Sequence, residues 1–213
     1  MKTIIAINTS PRAKWNTGQM VRAAAAGAED AGATVEVIDL YKLEPFMGCR
    51  SCFACMTEGH YDACAFKDGL SETLAKLRDA DGIIMGTPVY FGQPTAGYRA
   101  LHERLCFQHL TYQIEGFSSN KHPVPVLFIT TSNCPAEEFE PSGFATALAG
   151  IVGNLEMWVG PTTTYSATET MQTDHYERYT WTFFDAEART KRHEDVFPQD
   201  LQNVRDIAAK LFA

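Results

Sequence analysis

Four of the six cysteines in this 213-residue chain fall within one short stretch: Cys49, Cys52, Cys55 and Cys64. Three thiols at C-x-x-C-x-x-C spacing can wrap one compact inorganic core, and a later cysteine can close its fourth corner, as in a [4Fe-4S] cluster. Zinc sites more often use two well-separated C-x-x-C pairs. Thiols without metal can also do redox work of their own. These three readings stay open on spacing alone. Gly48 and Gly59 give the stretch freedom to fold around a core.

A second set of chemically capable residues follows the first apolar run. Ser10-Pro11-Arg12 leads to Asn16-Thr17-Gly18 and then to a helical pattern. A loop running from a strand into a helix presents free N–H groups and the positive end of the helix dipole. Ser10, Asn16 and Thr17 add short polar side chains, and Arg12 adds a permanent cation suited to phosphate oxygens. An ordinary helix-capping loop has the same composition. No G-x-x-x-x-G-K-[ST] or G-x-G-x-x-G is present, so neither a triphosphate loop nor a dinucleotide fingerprint is visible.

The loop Ser-Pro-Arg followed by Asn-Thr resembles the phosphate loop of the flavodoxin-like NAD(P)H-dependent FMN reductases, most of all their iron-sulfur flavoprotein branch. The resemblance is good over about residues 3–105 and weak beyond. It implies that Ser10, Arg12, Asn16, Thr17 and the Gly18 amide hold the FMN phosphate. Pro88-Val89-Tyr90-Phe91-Gly92, after the third strand, is similar to the family's flavin-ring loop. Its prolines stiffen it, its aromatics offer flat apolar surface, and Gly92 lets backbone approach a ligand. The helix that follows carries Arg99 and Glu103-Arg104, where the family often has a basic residue and an acid–arginine pair. A third loop, Thr130-Thr131-Ser132-Asn133-Cys134, is expected to face the same crevice; Thr131 and Ser132 are its candidate contacts. Asn133 stands where the family usually has glycine, and Cys134 reads as an inert thiol. The iron-sulfur branch carries a compact cysteine motif like this one, with a shorter last spacing, which implies Cys49, Cys52, Cys55 and Cys64 as cluster ligands.

These loops need a scaffold that brings them together. Apolar runs at Thr3–Asn8, 34–40, 82–87, 123–131 and 155–164 read as strands. Helical patterns lie at 17–31, 69–80, 95–109, 139–152 and 200–212. This alternation implies βαβ crossovers and a parallel sheet covered on both faces. Five strands suit a flavodoxin-like doubly wound α/β fold in the order 2-1-3-4-5, with ligands at the carboxyl ends of the strands. One domain, 1–213, is expected, with a cysteine-rich insertion at 44–68 and a C-terminal extension at 165–213. Tyr176, Tyr179, Trp181, Phe183 and Phe184 make that extension aromatic.

Net charge is −8, which argues against nucleic-acid or anionic-membrane partners. The N-terminal apolar run is too short for a signal peptide or a membrane span, so a cytoplasmic chain with reduced thiols is expected. No cysteine stands six positions before an arginine in the manner of a small tyrosine phosphatase. Asn8-Thr9 and Gly86-Thr87 lack receiver-domain carboxylates, and no G-x-S-x-G elbow exists. The six histidines are scattered. The expected function is an FMN oxidoreductase taking electrons from NADH or NADPH, with a [4Fe-4S] cluster as one-electron relay. An electron carrier without a small-molecule substrate is the alternative. A homodimer or homotetramer is expected from the aromatic extension.

Overall fold

A computed structural model describes all residues, Met1–Ala213. In chain order the strands are β1 (Thr3–Asn8), β2 (Thr34–Asp39), β3 (Gly82–Tyr90), β4 (Gln93–Pro94), β5 (Leu110–Gln113), β6 (Gly116–Ser118), β7 (Val126–Thr131) and β8 (Thr162–Ala167). The helices are α1 (Asn16–Asp30), α2 (Ser71–Asp79), α3 (Ala96–His109), α4 (Phe144–Trp158), α5 (Ala186–Asp195) and α6 (Phe197–Phe212).

The main sheet runs β2-β1-β3-β7-β8, all pairs parallel, with β4 folded back antiparallel on β3. This is the flavodoxin-like order expected from the sequence, the fourth and fifth parallel strands being β7 and β8. Successive strand residues go to opposite faces, as the pleat requires. Ile5, Ile7, Ile83, Met85, Val126 and Phe128 meet α2, α3 and α4 on one side. Ile4, Ala6, Ile84, Leu127 and Ile129 meet α1 and α6 on the other. Both faces of the central strands are covered, which is why β1, β3 and β7 read as largely unbroken apolar runs.

Two glycines set close approaches. A Cβ on Gly86 would come 2.3 Å from Val21 Cγ2, so α1 lies directly against β3. A Cβ on Gly27 would come 2.0 Å from the Arg205 carbonyl oxygen, so α1 and α6 touch backbone to backbone.

Three boundaries differ from the sequence reading. The segment 155–164 is not a strand at its start: Leu155 continues the helical face of Leu148 and Ile151, and α4 ends only before Gly160-Pro161. Gly153, inside the helix, weakens that pattern. The fifth parallel strand is therefore β8, and α4 begins at Phe144, not 139. Pro198 lies in the first turn of α6, where its missing N–H costs nothing. In the C-terminal extension, α5 went unread; its N-cap is Asp185, which accepts from the Glu187 and Ala188 amides.

Candidate functional site

The carboxyl ends of β1, β3 and β7 open into a crevice of about 300 Å³. Ser10, Arg12, Trp15, Asn16 and Thr17 line one side, Pro88, Val89, Tyr90 and Phe91 another, and Thr131, Ser132 and Asn133 the third. Residues 170–172, beyond β8, close the rim. Three loops far apart in sequence thus converge at the end of the sheet where doubly wound folds bind ligands.

The first loop is held by Asn8. Its side-chain amide donates to Asp39 Oδ1 (2.8 Å) and the Ala13 carbonyl (3.3 Å), while its Oδ1 accepts from the Ser10 amide (3.1 Å). Burial pushes the Asp39 carboxyl up, but Lys42, Asn8 and Arg22 more than offset this and hold it below the usual range. Gly18 lies inside this turn: a Cβ there would sit 2.0 Å from the Ala13 carbonyl oxygen. Its place is therefore a close approach that only glycine permits, and its side of the helix does not line the crevice.

Helix α1 has no side-chain cap at its N-terminus. The amides of Asn16, Thr17 and Gly18 donate to no backbone carbonyl, so the turn keeps its donors free. Thr17 Oγ1 and Thr131 Oγ1 are 2.7 Å apart and join the first and third loops. Arg12 lies over the Trp15 ring (5.0 Å to its centroid) and donates to the Gln172 carbonyl. Trp15 Nε1 and Asn16 Nδ2 both donate to the Met171 carbonyl, at 3.0 and 2.7 Å. Two buried polar atoms in this crevice, Asn16 Oδ1 and Ser132 Oγ, have no partner. Such atoms are costly unless something else satisfies them.

The second loop is a hairpin tip. Phe91 and Gly92 form a two-residue turn between β3 and β4, both left-handed, with φ of +52° and +77°. This is the I′ geometry of tight hairpins. A Cβ on Gly92 would lie 3.3 Å from the Phe144 ring; the residue serves the turn and lies outside the crevice lining. The Phe91 side chain is fully exposed at the crevice mouth. Cys134 lines an adjoining hollow with Phe144 and Phe184; burial pushes its thiol up.

The four clustered cysteines come together elsewhere. Cys49, Cys52, Cys55 and Cys64 all line one cavity with Phe66 and Arg104. None is in a disulfide. The space is narrow, about 20 Å³, and no group of three or more His, Cys, Asp and Glu side chains is arranged to hold a metal ion. Burial and the neighbouring thiols push Cys49 and Cys55 up. Ser51, Phe53 and Asp62 in this stretch have left-handed backbones without being glycine, an uncommon state that costs energy.

Sequence reading missed Asn8, Trp15, Met171 and Gln172 around the crevice, and Phe66 and Asp68 beside the thiols. Asn8 carries the clearest sequence signal, an Asn at the strand's last position just before the polar loop. Met171 and Gln172 contribute through backbone carbonyls, which no residue type announces.

The sequence also matches, over residues 2–171, the model of the family described as NADPH-dependent FMN reductase. The chain belongs to this family. It is 39% identical over 103 residues to an iron-sulfur flavoprotein of Methanocaldococcus jannaschii, covering 47% of this chain and 50% of that one. It is 34% identical over 101 residues to an iron-sulfur flavoprotein of Methanosarcina thermophila, covering 47% and 51%. The chain thus spans about half the length of these curated relatives. Among solved structures, an NAD(P)H:quinone oxidoreductase from Methanothermobacter marburgensis superposes with a TM-score of 0.68 at 14% identity, covering 100% of this chain and 98% of that one. An FMN-dependent NADH-azoreductase from Bacillus anthracis in complex with FMN gives 0.68 at 13%, covering 100% of both. At such identities these two structures establish the shared fold. No helix is long and apolar enough to cross a membrane.

Proposed function

We propose that the crevice holds FMN and that the chain passes electrons from NADH or NADPH through it. The observation that carries this reading is the convergence of a cation-bearing, uncapped helix N-terminus with an aromatic hairpin at one end of the sheet. Ser10, Arg12, Asn16, Thr17 and the Gly18 amide would bind the phosphate. Pro88, Val89, Tyr90 and Phe91 would present one wall and the backbone edge to the ring, with Gly92 shaping the turn that carries them. Thr131 and Ser132 would meet the ligand from the third side. The unpartnered Asn16 Oδ1 and Ser132 Oγ suit a polar ligand. FMN, when bound, supplies hydride acceptance and onward transfer of electrons singly or in pairs. The protein orients it and excludes water from one face.

The thiol site is proposed as the seat of a [4Fe-4S] cluster. Its donor set, four thiols and no other ligand type, suits soft iron-sulfur chemistry, and the curated relatives carry that name. The narrow cavity requires the loop to open around such a group. Exposed Cys52 and Phe53 favour a second reading, an electron carrier that meets another protein at this loop.

Protein purified without oxygen and assayed for flavin, iron and sulfide tests both sites. NADPH or NADH added anaerobically should bleach the flavin rapidly; no bleaching with either would favour the carrier. Cys52→Ser should remove iron and sulfide while FMN stays bound. Wild-type protein that contains neither iron nor sulfide would end the cluster reading and leave the flavin reading standing.

A further inference from the structure

Neighbouring residues of α3 grip both ends of the cysteine stretch. Glu103 Oε2 accepts from the Cys49 amide at 3.2 Å. Gly48 fits beneath it because a Cβ there would lie 2.4 Å from that oxygen. Arg104, 1% exposed, reaches the other end. It donates to the Phe66 carbonyl at 2.7 Å and pairs with Asp68 Oδ1 at 2.5 Å. Asp68 also accepts from the Met47 amide at 3.0 Å, which closes the loop on itself. The Phe66 ring stacks with the guanidinium of Arg104 on one contact and of Arg50 on another, at 5.3 and 4.9 Å.

Arg50 is solvent-exposed, so Arg104 is the one buried cation in the wall of the thiol cavity. Its Nε has no partner, and Cys64 lines the same cavity. A buried cation is costly unless paired. Asp68 answers part of that charge but, unlike Arg104, does not line the thiols' common cavity. The cavity therefore sees the guanidinium more directly than its counter-ion.

We propose that Arg104 and Asp68 are a pair of positioning residues that set the reduction potential of the thiol-bound group, Arg104 raising it and Asp68 lowering it. The inference rests on the cluster reading above. Four thiolates outweigh the positive charge of an iron-sulfur core, so the assembly is anionic and becomes more so on gaining one electron. A nearby buried cation favours that reduced state, and a nearby carboxylate disfavours it. Arg104 and Asp68 touch no substrate and act only through the field and through the arm that carries Cys64.

The test is an anaerobic dithionite titration of the full chain loaded with flavin, followed by low-temperature electron paramagnetic resonance for the cluster and by absorbance for the flavin. Arg104→Gln should shift the cluster potential to more negative values. Asp68→Asn should shift it to more positive values. Arg104→Lys should restore most of the wild-type value, because it keeps the charge and loses only the planar fork. The flavin potential should stay put in all three, since the crevice lies at the strand ends. Shifts that are absent, or of the same sign in Arg104→Gln and Asp68→Asn, overturn the proposal. If Arg104→Gln does not retain the cluster, the opposite-sign prediction for Asp68→Asn and the rescue by lysine still decide it. Wild-type protein without iron and sulfide is a different failure, that of the cluster reading itself.

Discussion

His102 should make the protein lose stability in mild acid, and replacing it should remove that loss. The ring is 3% exposed on α3, stacked on Tyr98 at 5.6 Å between centroids, with Asn154 Nδ2 at 3.4 Å and Cys106 Sγ at 3.7 Å from its Nε2. Burial, then the charge of Arg99, lowers its pKa from 6.5 to about 4. The sign follows from linkage. Below 6.5 the unfolded chain takes up a proton that the folded chain refuses until about 4, so stability is full above 6.5 and falls as pH drops. At about pH 5 the loss from this one group is roughly 2 kcal/mol. His109 and His193 are also lowered, chiefly by burial, and add to the slope. Asp39 and Asp68, lowered in the fold, stay ionised over this range. Urea denaturation of flavin-saturated protein, followed by far-ultraviolet circular dichroism at about pH 7, 6 and 5, should give a shallower dependence for His102→Gln than for wild type. The difference between the two slopes isolates His102. Parallel curves would refute the reasoning, because they would mean that the ring protonates as easily in the fold as outside it.

Arg12→Ala should weaken FMN binding about ten- to a hundredfold, roughly 1.5–3 kcal/mol for a charge-assisted contact, with an unchanged circular dichroism spectrum; an unaltered dissociation constant would remove Arg12 from the phosphate site. Gly18→Ala places a methyl group 2.0 Å from the Ala13 carbonyl oxygen, so the first loop must shift, and flavin fluorescence quenching should report at least about a tenfold loss of affinity, a shift of ~1.4 kcal/mol. Tight binding by this variant would mean that the loop is loose. Phe183, 93% exposed, and the half-exposed Trp181 and Tyr179 lead us to expect a homodimer or homotetramer at micromolar concentration; light scattering that gives a stable monomer would count against it.

The fold was legible because its central strands, β1, β3 and β7, are buried on both faces and most of its helices carry one apolar stripe. Ile4 to Ile7, Ile83 to Met85 and Val126 to Ile129 read as strands without help from any other part of the chain. The boundary near 155 failed because a buried helix end and a buried strand start are both short apolar runs. Leu155 belongs with Leu148 and Ile151, and Gly160-Pro161 was the better stop signal than Gly153. The crevice was legible where it uses side chains of telling type, as with Arg12, Asn16 and Tyr90. It was illegible where it uses carbonyls, as at Met171 and Gln172, or a non-local bond such as that between Thr17 and Thr131. Glu103 and Arg104 could be noticed as a pair in sequence, but only the packing of α3 reveals that they face the cysteine stretch.

The turn at Phe91-Gly92 carries a consequence for how this chain would drift under selection. A left-handed phenylalanine costs roughly 1–2 kcal/mol relative to glycine, and its exposed ring recovers nothing from the core. A library screened for thermal survival alone should therefore fill position 91 with glycine or asparagine within a few rounds. A library screened for flavin retention should keep an aromatic there if the ring shields the crevice mouth. The residue that each screen leaves behind would measure, without any structure of a complex, what the fold gives up at that corner for its ligand.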